Sequence, residues 1–142
     1  MAEVKKKKMA AAKPKRKEQK LKVLLIDDDD FLAKILADKL AQSGFEPVLA
    51  RDGESGLRAV KAKKPVAVLL DVLLPKMDGF KVLERLKSSA ATRNIPVIML
   101  TNLAKKEDLD RAKELGALDY LMKAHLAPDD MIERLRKAIN ER

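Results

Sequence analysis

The chain has no cysteine, no tryptophan, one tyrosine and one histidine in 142 residues. Without cysteine there is no disulfide and no thiolate metal site, and a reducing compartment such as the cytoplasm is the expected setting. Aromatic residues make up only 3% of the chain, so the core must be built from Leu, Val, Ile, Ala and Met. No apolar run approaches the roughly 18–20 residues of a membrane span. The charged N-terminus lacks the apolar stretch of a secretory signal, so no transmembrane segment or leader is expected. The phosphate-cradling pattern G-x-x-x-x-G-K-[ST] is also missing, which excludes a P-loop nucleotidase. The single histidine, His125, sits in a loop and reads as a surface or capping residue; the methionines are scattered and read as core filler.

What the chain has in excess is positive charge, with a formal net of +9. The excess is local. Residues 1–22 carry ten Lys and Arg against two acids, and the other 120 residues carry 21 basic and 20 acidic groups. The expected domain organisation is a basic tail over residues 1–20 and one globular domain over 21–142. The tail is too poor in apolar residues to fold alone. Residues 5–22 could serve as an electrostatic arm for nucleic acid or an anionic surface, but a charge run is more often merely solvated. No aromatic interleaves these lysines, so base stacking has no support.

After the tail, short apolar runs alternate with amphipathic segments. Leu21–Ile26 reads as a strand buried on both faces and ends in four consecutive aspartates, Asp27 to Asp30. A helix follows, with Phe31, Leu32, Ile35, Leu36 and Leu40 at helical spacing, Asp30 as N-cap and Gly44 as stop. Phe45–Ala50 is the second strand, placed at a sheet edge by Pro47. Asp52 and Gly53 form a turn, and a weaker helix carries Leu57, Ala59 and Val60. Val66–Asp71 is the third strand. Beyond its loop, Phe80, Val82, Leu83 and Leu86 mark a helix. Ile95–Leu100 is the fourth strand, Leu109, Ala112 and Leu115 mark a helix, and Asp119–Met122 is the fifth strand. Pro128 opens the last helix, with Met131, Ile132, Leu135 and Ile139 on its apolar face. Five βα repeats with connections too long for hairpins imply an α/β fold, a parallel sheet with helices on both faces.

In such a sheet the functional groups gather at the C-terminal ends of the strands. Four strands end in chemically useful residues: Asp27 and Asp28, Asp71, Thr101, and Lys123. Strand two ends in Arg51-Asp52 and, as an edge, is expected to lie out of reach. Each residue alone has a plain structural reading; their equivalent positions make the set informative. Three clustered carboxylates repel one another unless a cation joins them. Oxygen ligands without His or Cys suit Mg²⁺. Three carboxylates, one Mg²⁺ and one ammonium sum to zero charge, a site able to receive a phosphoryl group on one carboxylate.

Over about residues 21–140 the chain resembles the CheY-like receiver domain of bacterial response regulators. The matching stretches are Ile26-Asp27-Asp28-Asp29, Asp71 through Pro75 to Asp78-Gly79, Pro96 to Thr101, and Asp119-Tyr120-Leu121-Met122-Lys123. The resemblance implies a flavodoxin-like (βα)5 doubly wound sheet of strand order 2-1-3-4-5. It implies Asp71 as phosphoacceptor, Asp28 and Asp71 as direct Mg²⁺ ligands, Asp27 as a ligand largely through water, and the Leu73 carbonyl as another. Thr101 and Lys123 would contact the phosphoryl group, and Tyr120 would be the aromatic switch residue. The implied donor is a sensor histidine kinase or a histidine phosphotransfer protein. The expected function is a stand-alone response regulator in a two-component phosphorelay. Its output would go to a partner on the face of helix four, strand five and helix five. No turnover of an external substrate is expected, so it is not read as an enzyme.

Some positions depart from the family pattern. Lys123 precedes Ala124 where the family usually has proline, so the usual cis bond is not expected and a rearranged loop should still deliver Lys123. Leu73 and Leu103, two residues after Asp71 and Thr101, are apolar where a polar side chain could orient water, and Asn102 replaces a smaller residue; slow autodephosphorylation is expected. A haloacid-dehalogenase-like phosphatase would need a second aspartate where Leu73 stands. A receiver-regulated nucleic-acid-binding protein using the tail is the principal alternative. A degenerate receiver is opposed by the complete acid set.

Overall fold

The computed structural model describes residues 20–102 and 105–140. The expected tail and the expectation for Leu103 therefore lie almost wholly outside the described residues. The elements are β1 (Lys22–Ile26), α1 (Asp30–Gln42), β2 (Glu46–Ala50), α2 (Gly53–Lys63), β3 (Ala67–Asp71), α3 (Gly79–Ser88), β4 (Val97–Thr101), α4 (Lys106–Glu114), β5 (Asp119–Met122), a 3-10 turn (Lys123–His125) and α5 (Pro128–Asn140).

The five strands form one parallel sheet of order β2-β1-β3-β4-β5. β2, the strand carrying Pro47, is an edge, where a missing N–H costs least. Side chains along a strand alternate between sheet faces, so each apolar run feeds two cores. Val23, Leu25, Leu69, Ile98, Leu100 and Leu121 point to one face and pack against Leu36 and Leu40 of α1 and Met131, Ile132 and Leu135 of α5. Leu24, Ile26, Val68, Leu70, Val97 and Met99 point to the other and meet Val60 of α2, Leu83 and Leu86 of α3 and Ala112 of α4. This explains why the strands read as unbroken apolar runs rather than alternating ones. It also explains how a core nearly without aromatics is filled. Residues such as Leu24, Leu69 and Leu70 are fully buried, and truncating one to Ala costs about 2–5 kcal/mol.

Three local expectations are corrected. The N-cap of α1 is Asp29, whose Oδ1 accepts from Leu32 N at 3.1 Å; Asp30 is the first helical residue. Phe31 is not part of the apolar face: it is 78% exposed, and Ile35 is 39% exposed. Ala33, Leu36 and Leu40 cover the sheet instead, a face narrower than the apolar stripe. Asp52 forms more than a turn. It caps α2 in a reciprocal capping box with Ser55, and Gly53 opens the helix.

The register brings the functional ends level. Ile26 pairs with Leu70, Asp71 with Leu100, and Thr101 with Met122. Asp27, Asp71, Thr101 and Lys123 thus emerge along one edge of the sheet, at the C-terminal ends of β1, β3, β4 and β5.

Candidate functional site

Asp27 follows β1 directly. Its N–H donates to the Ala50 carbonyl at 3.0 Å, and its Oδ1 accepts from Asp29 N at 2.9 Å. These bonds hold the carboxylate over the end of the sheet, where Asp27 is 2% exposed. Asp28, the next residue, is exposed. Asp71 ends β3 and is 5% exposed. Its Oδ1 accepts from Leu73 N at 3.2 Å, fixing the turn behind it. Gly79 packs so closely beneath this turn that a Cβ there would lie 2.1 Å from the Asp71 carbonyl oxygen. Only glycine fits, and the Asp78-Gly79 pair is thereby explained: Asp78 caps α3 by accepting from Lys81 N at 3.0 Å.

One carboxylate oxygen each from Asp27, Asp28 and Asp71 lie within 4.8 Å of one another. Lys123 reaches the same point from the turn after β5. Its Nζ donates to Asp71 Oδ2 at 3.0 Å and lies 2.8 Å from Asp27 Oδ2. The second contact is a charge contact without hydrogen-bond alignment, so the buried Asp27 Oδ2 keeps no directed hydrogen bond among the described residues. The Lys123–Ala124 peptide is trans, and the 3-10 turn at Lys123–His125 aims the lysine back over the sheet. His125, in that turn, is exposed.

The electrostatics are those of crowded carboxylates around one cation. Burial pushes Asp71 up to about 6. The Lys123 hydrogen bond opposes this and the charge of Asp27 adds to it. Burial pulls Lys123 down, but its contacts with the carboxylates of Asp27 and Asp71 outweigh it and hold the ammonium above its ordinary range. With three carboxylates and one ammonium, the cluster remains short of positive charge. An all-oxygen donor set and a buried carboxylate oxygen without a directed bond fit a hard divalent cation such as Mg²⁺. Asp27, Asp28 and Asp71 would hold it.

Thr101, 1% exposed, ends β4 one residue beyond the partner of Asp71. Its side chain is hydrogen-bonded to that of Tyr120. Burial raises the Tyr120 phenol above its ordinary range, and the Thr101 bond partly opposes the shift. The half-buried Tyr120 ring packs on the α2/α3/α4 core. Leu73 is 58% exposed at the mouth of the cluster.

Strand two was expected to be out of reach, and the structure corrects this. Arg51 Nε donates to Asp30 Oδ1 at 2.8 Å, and Nη2 lies 3.4 Å from the Asp28 carbonyl. β2 pairs with β1, so a long side chain at its end spans to the acidic loop. The signal available in the sequence was an arginine at a strand end facing a run of four aspartates.

The response regulator receiver domain family matches residues 23–136. The chain belongs to this family. The receiver is 38% identical over 108 residues to the "Probable transcriptional regulator ycf27" of Cyanophora paradoxa; the match covers 76% of this chain and 44% of that protein. The chain spans less than half the length of such curated relatives. Among solved structures, a putative response regulator from Chloroflexus aurantiacus is 31% identical with a TM-score of 0.81, covering 86% of this chain and 99% of that one. The receiver domain of sensor histidine kinase PA1611 from Pseudomonas aeruginosa, with a magnesium ion coordinated in its active-site cleft, is 25% identical with a TM-score of 0.78, covering 85% and 98%. The CheY-like fold of order 2-1-3-4-5 is thus that of the receiver family.

Proposed function

We propose that this receiver takes a phosphoryl group onto Asp71 from the phosphohistidine of a sensor histidine kinase or a histidine phosphotransfer protein, in the presence of Mg²⁺. The observation that carries the reading is the placement of Lys123 between Asp27 and Asp71, inside a three-carboxylate cluster at the strand ends. In the transfer, an Asp71 carboxylate oxygen bonds to phosphorus as the P–N bond of the donor breaks. The bonding pair returns to the imidazole nitrogen, which takes up a proton. Bound Mg²⁺ would supply charge neutralisation for the incoming phosphoryl oxygens. Lys123 exchanges its hydrogen bond to the carboxylate for one to a phosphoryl oxygen, and Thr101 offers its hydroxyl to another. Thr101 then pulls on its hydrogen bond to Tyr120. That bond is the path by which phosphorylation would alter the α4–β5–α5 face, on which Leu118 stands half-exposed.

In this reading the protein turns over no external substrate and works in the cytoplasm. No described helix is long and apolar enough to cross a membrane. Magnesium-dependent labelling with phosphoramidate, comparing wild type with Asp71→Asn, tests the reading. Labelling is expected only of the wild type and only with Mg²⁺; equal labelling of both proteins would overturn it.

A second reading, a receiver that regulates nucleic-acid binding, is favoured by the named role of the ycf27 relative as a probable transcriptional regulator and by the basic residues 5–22. It predicts DNA binding with a steep salt dependence that is lost when residues 1–19 are deleted.

A further inference from the structure

The helices α2 and α3 enclose a groove of about 470 Å³ on the sheet face opposite α1 and α5. Leu57 of α2 and Leu86 of α3 give it an apolar floor, and Lys61 and Arg85 stand on opposite walls. It runs into a second hollow of about 360 Å³ that shares Lys61 and Thr92, is floored by Val60 and Ile95, and is flanked by Lys64. Together they form an elongated cleft, apolar at the bottom and basic at the rim.

The charge of this face is out of keeping with the rest of the domain. Residues 23–142 are nearly balanced, yet residues 53–93 hold nine cations and four acids. On the outer surface of the two helices and their caps, Arg58, Lys61, Lys63, Lys64, Lys81 and Arg85 are exposed against Glu54 and Glu84. Glu84 is engaged by Lys81 at 3.3 Å. Among the described residues, Arg58, Lys61, Lys64 and Arg85 have no ion-pair partner, whereas Lys34, Lys39, Arg51, Lys106 and Arg134 on other faces each have one. Lys61, Lys64 and Arg85, which line the cleft, thus stand at its rim as cations without an ion pair.

We propose that the groove between α2 and α3 docks an acidic, amphipathic helical segment of a partner protein. The rim requires negative charge, and the Leu57–Leu86 floor requires an apolar anchor at helical spacing. A nucleic-acid backbone meets only the first requirement, and no aromatic residue lines the groove to stack a base. The chain's own N-terminal tail has the wrong sign, and a symmetric contact with a second copy would set cations against cations. The groove uses the C-terminal halves of α2 and α3, whereas the carboxylate cluster lies beyond the opposite ends of these helices. Docking therefore leaves Asp71 open and is independent of the phosphoryl chemistry proposed above.

The test uses the full chain, ¹⁵N-labelled, and a synthetic peptide that is helical with Glu on one face and Leu on the other. Polyglutamate of equal charge and a short DNA duplex serve as comparison probes. The expected result is saturable binding with shifts centred on Leu57, Lys61, Arg85 and Leu86. The peptide should bind about tenfold or more tighter than either comparison probe, because only it fills the apolar floor. The double reversal Lys61→Glu/Arg85→Glu should weaken the peptide by about tenfold or more. Leu57→Ser, which keeps every charge, should weaken it by about threefold or more. Absence of saturable binding, equal binding of polyglutamate or DNA, shifts confined to residues 1–19, or indifference to both variants would each overturn the proposal.

Discussion

Lys123 Nζ donates to Asp71 Oδ2 across 3.0 Å, joining residues 52 positions apart in the chain. The bond is made inside a buried cluster where negative charge still exceeds positive, and burial, more than that imbalance, sets how Asp71 responds to pH. Its carboxyl is pushed from 3.8 up to about 6, first by burial. A carboxyl raised in the folded state favours folding when protonated. The contribution is therefore fully present below 3.8 and is lost as pH rises through about 6. Above that range the ionised group costs up to about 3 kcal/mol. Without divalent cations, Asp71→Asn should therefore raise the melting temperature at pH 8 and have little effect at pH 4. Added Mg²⁺ should stabilise the wild type more than the variant. Equal shifts at both pH values in thermal melts would contradict this account.

Leu73 stands 58% exposed two residues after Asp71, and its backbone N–H donates to the Asp71 carboxylate. A leucine cannot orient or deprotonate an attacking water. Leu73→Glu should shorten the lifetime of the phosphorylated form by about tenfold or more, as a positioned polar group assists hydrolysis. The decay of labelled protein after removal of the donor measures it. A half-life of seconds in the wild type would be incompatible with this role.

Arg51 holds the Asp27–Asp30 loop through Asp30 Oδ1 at 2.8 Å and the Asp28 carbonyl at 3.4 Å. Arg51 and Asp30 are 67% and 74% exposed, so their pairing contributes little stability, about 0–1 kcal/mol. Arg51→Ala should leave the melting temperature within about 2 °C yet weaken Mg²⁺ binding about two- to fivefold by loosening Asp28. Titration with Mg²⁺, followed by chemical shifts of the loop, separates the two effects. A fall in stability without a change in affinity would assign Arg51 a purely structural role.

The guanidinium of Arg111 on α4 lies 4.5 Å from the ring centroid of Phe80, which follows Gly79 at the start of α3. This cation–π contact ties α4, the helix after the Thr101 loop, to the helix that begins under Asp71. A double-mutant cycle of Arg111→Gln and Phe80→Leu by denaturant unfolding should give a coupling of about 0.5–1 kcal/mol. A coupling indistinguishable from zero would mean that the two helices are positioned independently.

Much of the fold was legible because its rule is local. β1, β3 and β4 are apolar runs, since both their faces are buried, and each runs into a charged or hydroxyl residue at its end. Those signals located β1, β3 and β4, and the motif around Asp71 supplied the family and with it the strand order. The misjudged details turned on geometry finer than periodicity. Asp29 and Asp30 are chemically the same, and only the path of the chain decides which one caps α1. Phe31 stands in solvent because the face that α1 lays on the sheet is narrower than its apolar stripe.

By itself, the sequence determined which residue types stand at the ends of which strands, and so the chemistry available: carboxylates at 27, 28 and 71, a hydroxyl at 101 and an ammonium at 123. This is so because strand length and two-sided burial are written in consecutive residues. Only the tertiary structure decided how these groups meet. It placed Lys123 between Asp27 and Asp71, hydrogen-bonded Thr101 to Tyr120, brought Arg51 to the acidic loop and set the unpaired cations of α2 and α3 along one groove. These relationships join segments far apart in the chain, and their distances depend on sheet register and helix packing, which no local stretch of sequence encodes.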